Sequence, residues 1–107
     1  MSADLIQDVL TEVKQALRLV YGPRLKQVIL YGSWARGDAT DDSDIDIAVV
    51  LGGDVSPALE IDRTIDVVFD MNLKYGVLIS IYPVSESEYR NLQSPLLMNV
   101  RREGIPA

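Results

Sequence analysis

The 107-residue sequence contains no histidine and no cysteine. Imidazole metal ligands, histidine general bases and Ser-His triads are therefore excluded. Disulfides and thiolate zinc sites are excluded as well. Because Asp and Glu together number 16, any acid–base or metal chemistry must depend on carboxylates.

Long apolar runs are also missing, since none approaches the roughly 20 residues that cross a bilayer. The N-terminal segment Met1-Ser2-Ala3-Asp4 lacks the basic stretch and apolar core of a secretory signal. These absences predict a cytoplasmic protein without a membrane contact. Positive charge is scarce, and a net charge of −6 repels phosphate backbones, so non-specific nucleic-acid binding is not expected.

The length of the chain predicts a single domain over residues 1–107, and apolar periodicity and capping signals predict its elements. The expected elements are a helix over 3–20, strands over 28–31 and 44–51, a helix from Ser56-Pro57 to about Lys74, a strand over 77–82 and two short helices that begin at Ser85 and Ser94. In the long helix, one face is defined by Ala58, Ile61, Ile65, Val68 and Asn72. This order indicates an α/β (α+β) fold in which helices pack against a small mixed sheet, and it leaves open the relative direction of the first two strands.

The segment YGSWARGDATDDSDIDIAVV, residues 31–50, contains the residues best suited to chemistry. Residues two apart in a strand face the same way, so Asp44 and Asp46 are expected side by side where an otherwise apolar strand begins. The two charges repel each other and resist burial, and a divalent cation relieves both costs. Mg²⁺ suits this pair because it takes oxygen ligands and completes its shell with water and phosphate.

A turn before this strand is suited to an anion. Gly32 permits a tight turn after the first strand, and Ser33 can begin one helical turn whose N–H groups and hydroxyl face a phosphate. Arg36 adds a cation suited to phosphate oxygens or to the nearby aspartates. Together with Asp44 and Asp46, these residues could hold a metal–triphosphate.

Neighbouring residues have simpler interpretations. Asp38, Asp41 and Asp42 are typical of a solvated, turn-forming loop. Trp34 is expected either to pack or to stack on a base. An EF-hand starting at Asp42 would need glycine at its sixth position and glutamate at its twelfth, where this chain has Ile47 and Gly53. A calcium loop is therefore excluded.

The pattern Gly32-Ser33, ten intervening residues, then Asp44-Ile45-Asp46 resembles the G-S-x₁₀-D-x-D signature of the DNA polymerase β-like nucleotidyltransferases. Within that superfamily it resembles the minimal nucleotidyltransferases, which include the MntA-type antitoxins. The segments LKYGVLISIYPVSESEYR and SPLLMNVRREG extend the resemblance to most of residues 3–104. The resemblance implies the nucleotidyltransferase fold and Mg²⁺-dependent transfer of AMP from ATP to a hydroxyl group. By position, Gly32 and Ser33 would hold the triphosphate, and Asp44 and Asp46 would be the catalytic metal ligands.

The resemblance further implies a partner, a HEPN-domain toxin that the antitoxin adenylylates on a tyrosine. Active relatives often have a third carboxylate on the strand after the long helix, but residues 77–82 contain no acid. In active relatives this carboxylate also serves as the general base. In the present chain the general base is therefore missing, supplied by a partner, or replaced by Asp44 or Asp46. Two alternatives stay open: a binding module that neutralises its partner by contact, and a transferase for small molecules such as aminoglycosides. Because so small a domain leaves much surface exposed, a homo-oligomer or hetero-oligomer is expected.

Overall fold

Four strands form one mixed sheet in the computed structural model, which describes residues 3–107. The strand order is β3-β2-β1-β4, with β1 at Leu25–Tyr31, β2 at Ile45–Leu51, β3 at Ile79–Ser85 and β4 at Ile105–Pro106. β2 is antiparallel to β1 and parallel to β3, and β4 is antiparallel to β1. The predicted mixed sheet is confirmed, and the open question of direction is settled as antiparallel for β1 and β2. Met1 and Ser2, part of the N-terminal segment considered above, lie outside the described residues.

Helices cover both faces of the sheet. The helices α1 (Ala3–Tyr21) and α3 (Pro57–Tyr75) pack on one face, where the core includes Val13, Leu17 and Ile47. The shorter helices α4 (Glu86–Asn91) and α5 (Pro95–Glu103) lie on the opposite face. A single helical turn, α2 (Ser33–Arg36), follows β1. No helix among residues 3–107 is long and apolar enough to cross a membrane.

The predicted helix boundaries agree with the structure at the two serine caps. Ser85 Oγ accepts the Glu88 N–H at 3.1 Å, and Ser94 Oγ accepts the Leu97 N–H at 3.1 Å. Each bond satisfies an N–H group that has no partner inside its helix. At Ser56 the long helix begins as predicted, although the serine side chain makes no capping bond.

Two predictions about the strands need correction, and one strand was not predicted. β1 begins at Leu25 instead of residue 28, because polar residues there continue the pairing with β2 across an irregularity between Leu25 and Gln27. β3 covers Ile79–Ser85 instead of 77–82 and includes Pro83, which an edge strand tolerates because its outer N–H groups need no partner. β4 was not predicted, since its two residues carry no periodic signal.

Of the face defined by Ala58, Ile61, Ile65, Val68 and Asn72, only Val68 packs against the core. Ile61 and Ile65 of that face are exposed, whereas Glu60, Thr64, Val67 and Met71 are the buried residues of α3. The two faces differ by one residue, or about 100° around the helix. The sequence pattern favoured the face with the most apolar residues, but packing placed a carboxylate in the interior.

The buried carboxylate is Glu60, whose side chain is 2% exposed. It accepts hydrogen bonds from Tyr21 Oη at 3.0 Å, Arg63 Nη1 at 3.3 Å and Arg24 Nη2 at 3.4 Å. Burial together with the adjacent Glu60 raises the pKa of Tyr21 to about 12, so the phenol stays a donor. This network joins α1, the turn after it and α3.

Replacing Glu60 with alanine is expected to lower the free energy of unfolding. Losing one member of a buried ion pair costs about 3–5 kcal/mol, and the partial exposure of Arg24 and Arg63 reduces this to about 2–3 kcal/mol. Urea unfolding followed by circular dichroism measures the difference. Asp62→Ala, at an exposed site on the same helix, is the matched control, and a Glu60→Ala cost equal to that of the control would contradict this account.

Candidate functional site

The turn after β1 and the beginning of β2 meet at one end of the sheet. Because the two strands are antiparallel, Tyr31 at the end of β1 pairs with Asp46 near the start of β2. Gly32 follows Tyr31, and a Cβ added to Gly32 would lie 2.3 Å from Asp46 Oδ2. The Asp46 carboxylate therefore packs directly on the glycine, and no other residue type leaves it that space.

Asp44 and Asp46 form a pair of interacting charges, as the sequence predicted. Asp46 is half-buried within β2, and Asp44 is exposed just before the strand. Burial raises the pKa of Asp46, the negative charge of Asp44 raises it further, and the positive charge of Arg36 lowers it. The two carboxylates thus repel each other, which is the condition that a bound cation would relieve.

Residues 3–107 contain no group of three or more acidic side chains arranged to hold a metal ion. A cation at Asp44 and Asp46 would therefore take most of its ligands from water or from a bound phosphate. Mg²⁺ commonly binds in this way, with one or two carboxylates and the oxygens of a substrate. The donor set fits Mg²⁺ as the cation of a phosphate-bearing substrate.

The helical turn predicted after Gly32 is present as α2. The Gly32 carbonyl accepts the N–H groups of Ala35 and Arg36, both at 3.1 Å. Ser33 is the first residue of the turn, where backbone N–H groups have no partner inside the helix. The Ser33 hydroxyl and these N–H groups therefore lie next to Gly32, the glycine on which Asp46 packs.

Arg36 lies at the rim of this site and pairs with two carboxylates. Its Nη1 donates to Glu103 Oε1 at 3.1 Å, and its Nε donates to Asp38 Oδ2 at 3.3 Å. The sequence left open whether Arg36 serves phosphate or acidic side chains, and in the structure it contacts the acids. Since its side chain is 47% exposed, it can still turn toward a phosphate.

Glu103, at the end of α5, is a site residue that the sequence interpretation missed. Besides Arg36 it accepts the Gly32 N–H at 3.2 Å, and its side chain is only 14% exposed. It thereby holds the glycine turn against α5. The available signal was the segment SPLLMNVRREG, which extends the family resemblance and contains this acid.

Trp34 holds the loop between α2 and β2. Its Nε1 donates to the Ser43 carbonyl at 3.2 Å, and its ring packs against the main core. Of the two roles considered for Trp34, packing is the one that the structure contains. The contact fixes the chain next to Asp44.

The strand beside Asp46 has a serine at the position paired with Asp46. Ser80 of β3 is in register with Asp46, and no residue of β3 is acidic. On the other side of Asp46 stands Tyr31, whose pKa is raised to about 12 by burial, by Asp46 and by Tyr82. The three residues in register across β1, β2 and β3 are therefore Tyr31, Asp46 and Ser80. Asp46 is the one acid among these three.

The raised pKa of Asp46 predicts that Asp46→Asn stabilises the protein at neutral pH in the absence of divalent cations. The folded protein holds the Asp46 proton more tightly than the unfolded chain does, since the pKa of this group in the unfolded chain is near 3.8. The associated stability is complete below that value and is lost as pH rises through the folded pKa. Thermal melts with chelator should give the variant the higher Tm at pH 7 and a shrinking difference toward acid pH. Asp42→Asn, with the same charge change in the exposed loop, is the control, and an equal rise there would contradict the prediction.

Known proteins resemble this chain in sequence and in fold. A protein of Methanocaldococcus jannaschii named "putative protein adenylyltransferase" is 39% identical over 99 residues, which cover 92% of this chain and 93% of that protein. The fold is similar to a crystal structure of a toxin–antitoxin with AMP-PNP (TM-score 0.66, 20% identity, 90% of this chain and 69% of that one). It is also similar to a mutant of the toxin–antitoxin MntA-HpeT (TM-score 0.60, 17% identity, 88% of this chain and 70% of that one).

The family model of the nucleotidyltransferase domain matches residues 7–93, a range that contains the glycine turn, both aspartates and all of α3. The sequence signature, the packing of Asp46 on Gly32 and this match lead to the same assignment. The chain belongs to the nucleotidyltransferase domain family.

Proposed function

We propose that the protein is a Mg²⁺-dependent adenylyltransferase that moves AMP from ATP to a hydroxyl group of a partner protein in the cytoplasm. The partner is a HEPN-domain toxin, which modification of a tyrosine neutralises. The observation that carries the proposal is the contact of Asp46 with Gly32, because it sets a cation ligand against a turn suited to phosphate. The name of the M. jannaschii relative and the toxin–antitoxin neighbours support the acceptor class.

Each site residue has a role in this proposal. Asp44 and Asp46 would hold Mg²⁺, and the bound ion would supply charge neutralisation at the triphosphate and activation of the acceptor oxygen. Ser33 and the N–H groups at the start of α2 bind phosphate oxygens, and Gly32 lets the backbone approach them. Arg36 turns from its carboxylate partners toward the phosphates as they arrive.

The transfer exchanges one phosphorus–oxygen bond for another. The acceptor oxygen bonds to the α-phosphorus of ATP, and the bond from that phosphorus to the oxygen shared with the β-phosphate breaks. Pyrophosphate leaves with the electron pair, and the hydroxyl proton passes to a carboxylate or to water. Positioning and charge neutralisation dominate such reactions, so a small site with few residues suffices.

The experiment begins with isothermal titration of the protein with ATP, in Mg²⁺ and in chelator. We expect binding that requires Mg²⁺, is lost in Asp44→Asn and is kept in the matched control Asp42→Asn. ATP labelled at the α-phosphate should then label the HEPN partner, whereas γ-labelled ATP should not. Absence of ATP binding at millimolar concentration would overturn the proposal, and labelling kept in both Asp44→Asn and Asp46→Asn would overturn the assigned site.

A second candidate, neutralisation of the partner by contact alone, is favoured by Ser80. That residue stands next to Asp46 on β3, the strand on which active relatives often have a third carboxylate, and no residue of β3 is acidic. Under this alternative, an Asp44→Asn/Asp46→Asn double variant still protects cells that express the toxin. Under the enzymatic proposal, the same cells stop growing.

A further inference from the structure

The end of α5 is fixed against β1 close to the glycine turn. Gly104 follows the last residue of the helix, and a Cβ added to it would lie 2.5 Å from the Ile29 side chain of β1. β4 comes directly after Gly104 and pairs with Ile29 and Leu30. Because Glu103 immediately precedes Gly104, its backbone is held in place at this end of the sheet.

One oxygen of the Glu103 carboxylate joins two parts of the candidate site. This oxygen, Oε1, accepts the Gly32 N–H at 3.2 Å and Arg36 Nη1 at 3.1 Å. Gly32 is buried, and the Glu103 side chain is only 14% exposed. A buried N–H that loses its acceptor is costly, so the carboxylate fixes the backbone from which the phosphate turn begins.

A surface ion pair with Arg36 does not account for this arrangement. Exposed pairs of this kind contribute little to stability. The negative charge of Glu103 is also unfavourable at the C-terminal end of α5, where the helix dipole favours cations, and it repels a phosphate that approaches the turn. The bond to Gly32, and not the charge, is therefore what makes Glu103 useful at this position.

We propose that Glu103 is a positioning residue for the nucleotide, which holds the Gly32 N–H so that the turn at Gly32-Ser33 keeps the shape that receives the phosphates. This role deepens the proposed function and rests on it, because the ligand of the turn is the triphosphate of ATP. Glu103 acts through Gly32 and does not itself contact the phosphates.

Two substitutions separate the reach of the side chain from its charge. Glu103→Gln keeps the length and an oxygen that accepts the Gly32 N–H, but it removes the charge. Glu103→Asp keeps the charge, but its carboxylate is one methylene shorter and falls short of Gly32. Since Gly104 packs on Ile29, the backbone resists the movement that would restore the contact.

The test is isothermal titration of the full chain with ATP in Mg²⁺. Glu103→Asp should weaken ATP binding about tenfold, since a turn that must be ordered on binding lowers the affinity. Glu103→Gln should bind ATP as tightly as the wild type. Glu86, which pairs with Arg90 at 3.1 Å on α4, is the matched control, and Glu86→Asp and Glu86→Gln should both bind as the wild type does.

Thermal melts of the same proteins distinguish positioning from stability. Both Glu103 variants weaken the ion pair with Arg36, so both should have a lower Tm than the wild type. A merely structural role would make the ATP affinity fall in both variants. A loss of affinity confined to Glu103→Asp is therefore a positioning effect.

Equal ATP affinity in the two Glu103 variants would overturn this role, because the reach of the side chain would then not matter. A loss confined to Glu103→Gln would overturn it as well, since the charge beside Arg36 would then decide the affinity. In both cases the wild type still binds ATP, and the proposed function stands. A wild type that binds no ATP would overturn the proposed function and this role together.

Discussion

AMP transfer by the Asp46→Asn variant is expected to fall on the order of 10³-fold, or below detection. The amide keeps the shape of the side chain but removes the negative charge that Asp46 would bring to the proposed Mg²⁺. Asp44, exposed and outside the strand, would be left as the only charged ligand of the pair. Neutralising a transferring phosphate is worth several kcal/mol, and each 1.36 kcal/mol changes the rate tenfold.

The measurement is the initial rate of AMP incorporation from α-labelled ATP into the partner protein. Asp42→Asn makes the same change of charge in the loop before the site and should transfer AMP at the wild-type rate. Asp46→Asn should at the same time have a higher Tm than the wild type at neutral pH, because the pKa of Asp46 is raised in the folded protein. An inactive but more stable protein excludes unfolding as the cause, and a full rate in Asp46→Asn would remove Asp46 from the site.

The contacts that the sequence could predict are those set by local pattern. Gly32 directly follows β1 and Asp46 is the second residue of β2, so the antiparallel pairing of these strands, a direction that the sequence left open, brings the two residues together. The caps at Ser85 and Ser94 follow from residues three positions apart. In each case, spacing along the chain determines which groups meet.

The features that the sequence could not predict depend on packing between distant segments. Glu103 reaches Gly32 across 71 residues because α5 packs over the end of β1. Glu60 is buried because Tyr21, Arg24 and Arg63 supply its hydrogen bonds, and two of these partners lie on other elements. No periodic pattern carries that information, which is why the apolar pattern selected the wrong face of α3.

The error about α3 has a functional meaning. Ile61 and Ile65 satisfy the apolar pattern of a core face but lie in solvent, beside a groove between α3 and β3. Sequence patterning records which residues avoid water and does not distinguish the protein's own core from the surface of a partner. An apolar face left outside the core marks a surface suited to contact with another molecule.

Replacing Gly32 with alanine is expected to disable the site and destabilise the fold together. Gly32 has φ 75° and ψ −157°, a region that glycine occupies almost alone, and side chains there cost about 1–3 kcal/mol. In addition, the new methyl group would meet Asp46 Oδ2 at 2.3 Å, so the carboxylate must rotate away. Since a displacement of about 1 Å can cost 10²-fold in rate, we expect AMP transfer to fall by about that factor or more.

Gly37 provides the matched control for this prediction. It also has a positive φ, 82°, but a methyl group added there would meet nothing within 4 Å. Gly37→Ala should therefore lower the free energy of unfolding by about 1–2 kcal/mol through backbone strain. The rate of AMP transfer should stay unchanged. Urea unfolding and initial rates of transfer measure the two effects.

A double-mutant cycle separates the clash from the strain in Gly32→Ala. In an Asp46→Ala background the carboxylate that meets the methyl group is gone, so the stability cost of Gly32→Ala should shrink toward the cost of backbone strain alone. The coupling measures how tightly Asp46 is held on the glycine. Equal costs in the two backgrounds would mean that the carboxylate moves aside freely, and Gly32 would then matter to the site only through its backbone.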